Sequence, residues 1–427
     1  MLLISEAVNS HSEINVFRRS FLTVSSTEVV VIGGGAIGAS ASFYLSEEGR
    51  RVTLLERREL ASEASGANMG GFPRQVMSDE VMQLAGQSAR MYRTLGTDLG
   101  YDLEFDPTGS YILMDEADQW RRLEENAERL RHRHGVKVEL LNQRELQEAD
   151  ADLAPDIPGA SYCPDDFTVN PTKVVLGFAR AAERLGAEIR TFTEVEKICV
   201  ENGSVKSVIT NRGEIRTGFI VIAAGAWSPN IGKMLGLRIP VRPRRGQLIV
   251  TEACSRAKIR YMIDIDYLVT GYDLDAVKTA EDQRVKLGVA TVLTQPSSGN
   301  WLVGSSRDFP GYDKRTTIET LRLMARRASR FLPKLKHTNI IRTFAGLRPF
   351  SEDDHFIIDK VEEINGLVLA TGHHGEGIAL APATGRLVAE LVTKSRTSCS
   401  IEQFSYNRFQ DRKLTEREIE AGSASWA

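Results

Sequence analysis

Val29-Val30-Val31-Ile32-Gly33-Gly34-Gly35-Ala36-Ile37-Gly38 is the stretch that decides the fold. Four β-branched residues in a row read as a strand buried on both faces, the habit of a parallel sheet. Glycines at 33, 35 and 38 follow with the spacing G-x-G-x-x-G, and Ala39 to Glu48 reads as a helix with Ala41, Tyr44 and Leu45 on one face, ended by Gly49. Arg51 to Leu55 reads as a second strand, with Glu56 at its carboxyl end, 18 residues past Gly38. Each part has a task in holding a dinucleotide. Gly33 allows the tight strand-to-helix turn, Gly35 lets backbone approach a pyrophosphate, and Gly38 lets helix and sheet pack closely. Ala36 and Ile37 belong to the same surface, where a helix N-terminus offers unpaired N–H groups and a positive dipole end to phosphates. Glu56 is placed to accept from ribose hydroxyls and disfavours a 2′-phosphorylated ligand.

Working outward, Arg57 and then Ser62-Glu63-Ala64-Ser65-Gly66-Ala67-Asn68-Met69-Gly70-Gly71 follow the second strand. Such small residues make poor core but let backbone come close to a bulky cofactor; a plain flexible loop is the alternative. The rest of the chain is ordinary for a globular protein: 427 residues, 42% hydrophobic, 26% charged, net charge −3. That balance gives no reason to expect a nucleic-acid partner. The basic pairs Arg121-Arg122 and Arg326-Arg327 read as solvated helix faces. Four well-separated cysteines suggest free thiols in a reducing, hence cytoplasmic, compartment, with no metal knuckle. No apolar run is long enough to span a bilayer. Phe17-Arg18-Arg19-Ser20-Phe21-Leu22 is similar to a twin-arginine signal, but the next apolar run is the core strand at 29, so 1–27 reads as a poorly ordered extension.

Four further motifs join the first. They are Ile220-Val221-Ile222-Ala223-Ala224-Gly225-Ala226-Trp227-Ser228, Val241-Arg242-Pro243-Arg244-Arg245-Gly246-Gln247-Leu248, Phe344-Ala345-Gly346-Leu347-Arg348-Pro349-Phe350, and the run Leu369 to Gly385 containing Gly372-His373-His374-Gly375-Glu376-Gly377-Ile378. Together with 29–71 they resemble the amine-oxidising FAD-dependent superfamily of glycine oxidase, D-amino-acid oxidase and sarcosine oxidase, over about residues 28–393. The last motif is most similar to the β-type subunits of dye-linked proline, hydroxyproline and opine dehydrogenases.

The resemblance implies an α/β fold: a Rossmann-like FAD-binding domain with an interleaved substrate domain on a mixed or antiparallel sheet. The expected FAD domain is 28–72 plus 166–247 plus 340–395, and the substrate domain 73–165, largely helical, plus 248–339. A C-terminal helix and tail would fill 396–427. It implies non-covalent FAD, because the sarcosine oxidase tether position corresponds to Gly346 here. Ser65, Gly66, Ala67, Val195, Ala224, Gly225, Trp227, Gly346, Gly372, His373, Gly375, Glu376, Gly377 and Ile378 would join the earlier residues around the cofactor. Arg348 would grip the substrate carboxylate through two parallel charged hydrogen bonds; a surface ion pair with Glu352, Asp353 or Asp354 is the alternative. Tyr261, Tyr267 and Tyr272 are candidate substrate contacts or plain packing aromatics. A His373–His374 metal site is disfavoured, since adjacent side chains point different ways and no third ligand is evident.

The implied activity is oxidation of a CH–NH bond in a small amino acid or secondary amine by hydride transfer to flavin N5, as a dehydrogenase passing electrons to partner subunits or a quinone. Peripheral association with a membrane would fit such an acceptor. An oxygen-using glycine or sarcosine oxidase is the rival, and a non-catalytic FAD protein aiding assembly of a redox complex is the reading from another class. Smaller elements are also expected: strands over Leu103–Met114, Val285–Leu293 and Trp301–Ser305, helices over Ala117–His134, Thr172–Leu185 and Thr316–Leu332, and a hairpin turn at Asn202-Gly203.

Overall fold

The computed structural model describes residues 24–259, 261–270, 281–394 and 396–409. Val29–Ile32 lies inside a six-stranded sheet ordered Ile357–Lys360, Leu367–Thr371, Phe219–Ile222, Val29–Ile32, Val52–Leu55, Glu188–Arg190. Every neighbouring pair is parallel except the outermost, Ile357–Lys360 with Leu367–Thr371. The unbroken apolar runs now have a cause, because both faces are covered. Val29, Val31, Leu54 and Val221 pack into the core shared with helices Ala36–Glu47, Asp79–Asp98, Pro171–Arg184 and Gly377–Thr393. Val30, Ile32, Leu55 and Ile222 point the other way, onto a four-stranded sheet of Val24–Ser26, Gly213–Arg216, Ser204–Thr210 and Val195–Glu201.

A second large sheet has eight strands, ordered Ile340–Ser351, Val241–Ala253, Asn300–Gly304, Val292–Thr294, Tyr261–Asp264, Ser110–Leu113, Gly159–Cys163, Glu139–Asn142. It is antiparallel but for Tyr261–Asp264 beside Ser110–Leu113. Helix Ile318–Phe331 covers one face through Met324, Ala328 and Phe331, which pack with Trp301 and Val303. The architecture is thus mixed α/β, with a parallel sheet and a mixed sheet.

Several expected elements hold: helices Trp120–His134 and Pro171–Arg184, the Asn202-Gly203 turn with both residues at positive φ, and strand Asn300–Gly304. Others change. The helix after the glycines starts at Ala36, so Gly38 falls in its first turn, where a Cβ would stand 1.9 Å from the Gly33 carbonyl oxygen. Only Ser110–Leu113 of 103–114 forms a strand, because Pro107 lacks a donor and Gly109 takes φ +79. Val285 lies in a short helix, Gln283–Lys286, capped by Asp282, and only Val292–Thr294 is extended. The stretch 73–165 is less helical than expected, since it gives three strands to the eight-stranded sheet.

Val24–Ser26, inside the segment expected to be an extension, is a strand paired in parallel with Gly213–Arg216. Residues 1–23, with the arginine pair at 18–19, lie outside the described residues, as do Tyr272 and 410–427. Within 396–409 there are two short 3₁₀ turns, Glu402–Phe404 and Tyr406–Arg408, and Phe404 stacks on Phe356 at 4.0 Å; the rest of the stretch expected to hold a C-terminal helix lies outside the described residues. Val241–Ala253 and Ile340–Ser351 both belong to the eight-stranded sheet, which moves 241–247 and 340–351 away from the six-stranded one. Arg327 is not a solvated face: its guanidinium is surrounded by Asp115, Asp264 and Asp266. Among the described residues no helix is long and apolar enough to cross a membrane.

Candidate active site

Two cavities meet between the large sheets. The larger is a cleft with about 1160 Å³ of empty space, its open mouth included. It lies at the carboxyl ends of the parallel strands, where Ile32, Leu55 and Thr371 are the last strand residues and line it. Of the residues named for the cofactor, Gly33, Gly35, Ala36, Ile37, Glu56, Arg57, Ser65, Val195, Ala224, Gly225, Trp227, His373, Gly377 and Ile378 line this cleft. The remaining expected residues do not. Gly38 and Gly66 serve close packing, with hypothetical Cβ atoms at 1.9 Å from Gly33 O and 2.1 Å from Ala61 O. Gly372 takes φ +81 and packs on Phe356. Ala67, Gly346, Gly375 and Glu376 line the second cavity instead.

The cleft fits a dinucleotide on its own geometry. Gly33 at φ +117 brings its Cα against the Ala223 carbonyl, 2.4 Å from where a Cβ would sit. Ser65 Oγ accepts the Ala36 N–H at 3.0 Å, holding the small-residue run against the helix start. Glu56 accepts from Gly34 N at 2.7 Å and from Arg58 N at 2.8 Å, which braces the loop and leaves lone pairs for hydroxyl donors. Two helix N-termini, at Ala36 and Gly377, open onto the same space. Arg57 stacks over Trp227 at 4.5 Å. A segment that sequence reasoning passed over folds back to this wall: Tyr312 donates to Ala226 O at 3.1 Å, and Lys314 pairs with Glu63 at 3.0 Å. Its only sequence signal was a mixed aromatic and basic loop.

The second cavity is a smaller chamber. Arg348 enters it from the strand Ile340–Ser351, flat against Gly246 of the neighbouring strand, where any Cβ would strike the guanidinium at 2.2–2.4 Å. Arg348 donates to Ser305 Oγ and Ser306 O, both at 3.0 Å. The acids that might have drawn it to the surface are engaged elsewhere: Glu352 with Arg238, Asp353 with Arg408, and Asp354 beside His374. Tyr261, Tyr267, Met69, Glu376 and Ala379 complete the walls. Tyr261 is fully buried against Gly71, whereas the Tyr267 ring carries Arg307 at 4.1 Å.

The field here is strongly positive on one side. Arg244 pairs with Arg348 in register and is buried. Burial, then the nearby charges of Arg307 and Arg348, pull its pKa down to about 9. His373 is buried, stacked on Phe356, and held neutral by burial, with its pKa lowered to about 3. Its Nε2 is 3.2 Å from Thr384 Oγ1, while Nδ1 has no hydrogen-bond partner among the described residues. That buried orphan in the cleft wall is consistent with a polar ligand beside it.

Sequence reasoning named neither Asn68 nor His374 as a site residue. Both line cleft and chamber together, as does Ala64. Asn68 accepts from Gly70 N and donates to Gly375 O at 2.9 Å, pinning the small-residue run to the C-terminal glycine turn.

A glycine-cradled cleft at a parallel sheet, joined to a chamber that presents an arginine, is the arrangement of a dinucleotide-dependent enzyme. Comparison with known proteins narrows the class. Residues 28–391 match the FAD dependent oxidoreductase family DAO. The chain is 32% identical to glycine oxidase of Pseudomonas aeruginosa over 86% of its own length and 95% of that protein's. It is 27% identical to hydrogen cyanide synthase subunit HcnC of the same organism, over 90% and 96%. Among solved structures, L-proline dehydrogenase from P. horikoshii superposes with a TM-score of 0.79 at 29% identity, over 90% and 97%. The chain therefore belongs to the DAO family and is an FAD-dependent oxidoreductase.

Proposed function

We propose that this enzyme oxidises the CH–NH bond of a small amino acid or secondary amine, with non-covalent FAD in the cleft and the substrate in the adjoining chamber. The observation that carries the reading is Arg348: one guanidinium, supported by Ser305 and Ser306, in a chamber that shares a wall with the cleft. Its fork suits a carboxylate and would fix the α-carbon toward the shared wall. Glycines 33 and 35 and the N-terminus at Ala36 would hold the pyrophosphate, Glu56 the adenosine ribose, and Val195 the adenine end. Residues 377–378, at the start of the last helix, would face the flavin ring with a positive dipole end. When bound, FAD would supply the redox chemistry, as acceptor of the substrate's hydride. Binding the amine in its free-base form requires no strong protein base. Tyr267 is proposed as a substrate contact.

The same reading divides the chain into an FAD domain built on the six- and four-stranded sheets and a substrate domain built on the eight-stranded sheet. Val241–Ala253 and Ile340–Ser351 then pass between them. None of the four cysteines lines either cavity, which supports a non-covalent cofactor. The likeness to L-proline dehydrogenase and to a subunit of hydrogen cyanide synthase supports a dehydrogenase working with partner subunits or a quinone. The likeness to glycine oxidase favours a second reading, an oxidase that passes electrons to oxygen.

Anaerobic bleaching of the flavin band tests both. A panel of D- and L-proline, hydroxyprolines, glycine, sarcosine, D-alanine and an opine is expected to yield one or more compounds that bleach it. Stoichiometric peroxide on admitting air assigns an oxidase, and its absence a dehydrogenase. A tightly bound flavin that no amine reduces would sink the amine reading.

A further inference from the structure

His374 occupies a position of unusual leverage, because its ring lines both the cleft and the chamber. Its orientation is fixed at Nε2, which meets Ser351 N at 3.2 Å and Ser351 Oγ at 3.1 Å. The Ser351 backbone N–H can only donate, and it points at Nε2 from 3.2 Å. A neutral imidazole must then carry its proton on Nδ1. Nδ1 stands 3.1 Å from Asp354 Oδ1, a buried atom not aligned for a hydrogen bond. Both residues hold the left-handed backbone region, with φ +63 at Asp354 and +49 at His374. Two side-chain-bearing residues in that region, facing one another where His374 lines the wall and Asp354 stands behind it, are held there by their surroundings at a local cost. The His374 ring also packs on Phe350, centroids 4.5 Å apart.

We propose that His374, in the wall between cleft and chamber, and Asp354 behind it form one protonatable unit, and that its charge sets the reduction potential of the bound FAD. The inference rests on the cleft assignment above. The charged groups around the pair come from every neighbouring element. Arg244 approaches from Val241–Ala253, Arg348 from Ile340–Ser351, and Arg307 from the segment after Asn300–Gly304; Asp353, itself held by Arg408, and His355 flank Asp354, and His373 precedes His374. Burial, Arg244, His373 and Arg348 keep the His374 ring neutral, with its pKa lowered to about 3. Burial raises the Asp354 carboxyl to about 6 against the pull of Arg244. Asp354 is therefore the member that changes charge near neutrality. Above pH 6 the unit is negative and opposes a gain of negative charge on the cofactor. As pH falls through 6 the unit takes up a proton, becomes neutral, and reduction grows easier. His374 acts as a positioning residue that holds the carboxyl behind this wall.

The test is the reduction potential of the FAD-loaded enzyme, measured by dye equilibration from pH 5 to 8, for wild type, Asp354→Asn and Asp353→Asn. Asparagine mimics the protonated carboxyl, so Asp354→Asn is expected to have the higher potential at pH 8 and to lose the extra inflection near pH 6. Asp353→Asn, in the same turn, is expected to keep it. A wild-type potential and curve in Asp354→Asn overturns the proposal, as does loss of the inflection in both variants. If Asp354→Asn does not retain FAD, the wild-type curve decides, and a single slope from pH 5 to 8 overturns the proposal. None of these outcomes bears on where FAD sits; that reading fails separately if Gly33→Ala enzyme carries a full complement of flavin.

Discussion

Cleft and chamber share a wall, yet they are made in different ways. The cleft is largely backbone: a glycine turn, two helix N-termini and strand ends, all within a few residues of the motifs that encode them. The chamber is side chains: Arg348, Tyr261, Tyr267, Glu376 and Met69, brought together by two strands, two helix starts and a loop far apart in sequence. A backbone-built site depends on what cannot be added, and a side-chain-built site on what must not be removed. Substitutions should therefore fail in opposite manners in the two places.

The most direct effect on the cofactor is expected at Gly33. An added Cβ there meets the Ala223 carbonyl at 2.4 Å while the backbone stays at φ +117. Gly33→Ala must displace one strand end or leave that region, so purified protein is expected to lose most of its flavin, roughly tenfold or more in affinity. Gly35→Ala meets only Ser65 Oγ, at 3.0 Å, and is expected to be milder. Flavin absorbance per protein after gel filtration reads both. Equal losses would undo the claim that close backbone approach is what the glycines supply.

Arg327 lines neither cavity and sharpens the contrast. Its guanidinium lies against Asp264, a fully buried carboxyl whose pKa burial raises while Arg327 opposes the rise. Arg327→Ala leaves that carboxyl uncompensated, and breaking such a buried pair typically costs about 3–5 kcal/mol. Urea denaturation should show the loss, with flavin content and substrate affinity of the folded fraction unchanged. A fall in substrate affinity without a fall in stability would mean that the two sheets are coupled through this cluster.

At Arg348 the expected cost is functional. Truncating one member of a desolvated charged pair costs about 2–5 kcal/mol, so Arg348→Ala should raise the half-saturating substrate concentration roughly 30-fold or more while FAD remains bound. Arg348→Lys should recover only part of this, because an ammonium cannot reproduce the planar fork. An unchanged value would remove the carboxylate anchor and with it the main support for an amino-acid substrate.

The same contrast explains what the sequence disclosed. Strand, turn, helix, strand and acid in order made 29–56 readable, since each signal is local and physically required. Arg348 was readable only through resemblance. Nothing nearby says that it lies over Gly246, a residue 102 positions earlier, or that Glu352, Asp353 and Asp354 turn to other partners. His374 was hidden for the same reason. Its partners, Ser351 and Asp354, follow a long strand in a different sheet, and adjacent histidines suggest a metal before they suggest a wall. Val285–Leu293 failed differently: a β-branched run was taken at face value, while Asp282 capped a helical turn within it.

The smallest expected effect separates two tyrosines that the sequence treated alike. Tyr261 is fully buried, with its ring pressed on Gly71. Tyr267 lies in the same chamber, with Arg307 stacked on its ring at 4.1 Å. Tyr267→Phe keeps that ring and its cation–π contact and removes only the hydroxyl. If the hydroxyl meets substrate, one hydrogen bond of about 1 kcal/mol is lost, a rise of roughly fivefold in the half-saturating concentration at unchanged thermal stability. A change in stability alone would return Tyr267 to packing. Arg348 would then be left as the chamber's single tested polar anchor, and the side-chain-built site would rest on one residue where the backbone-built site rests on many.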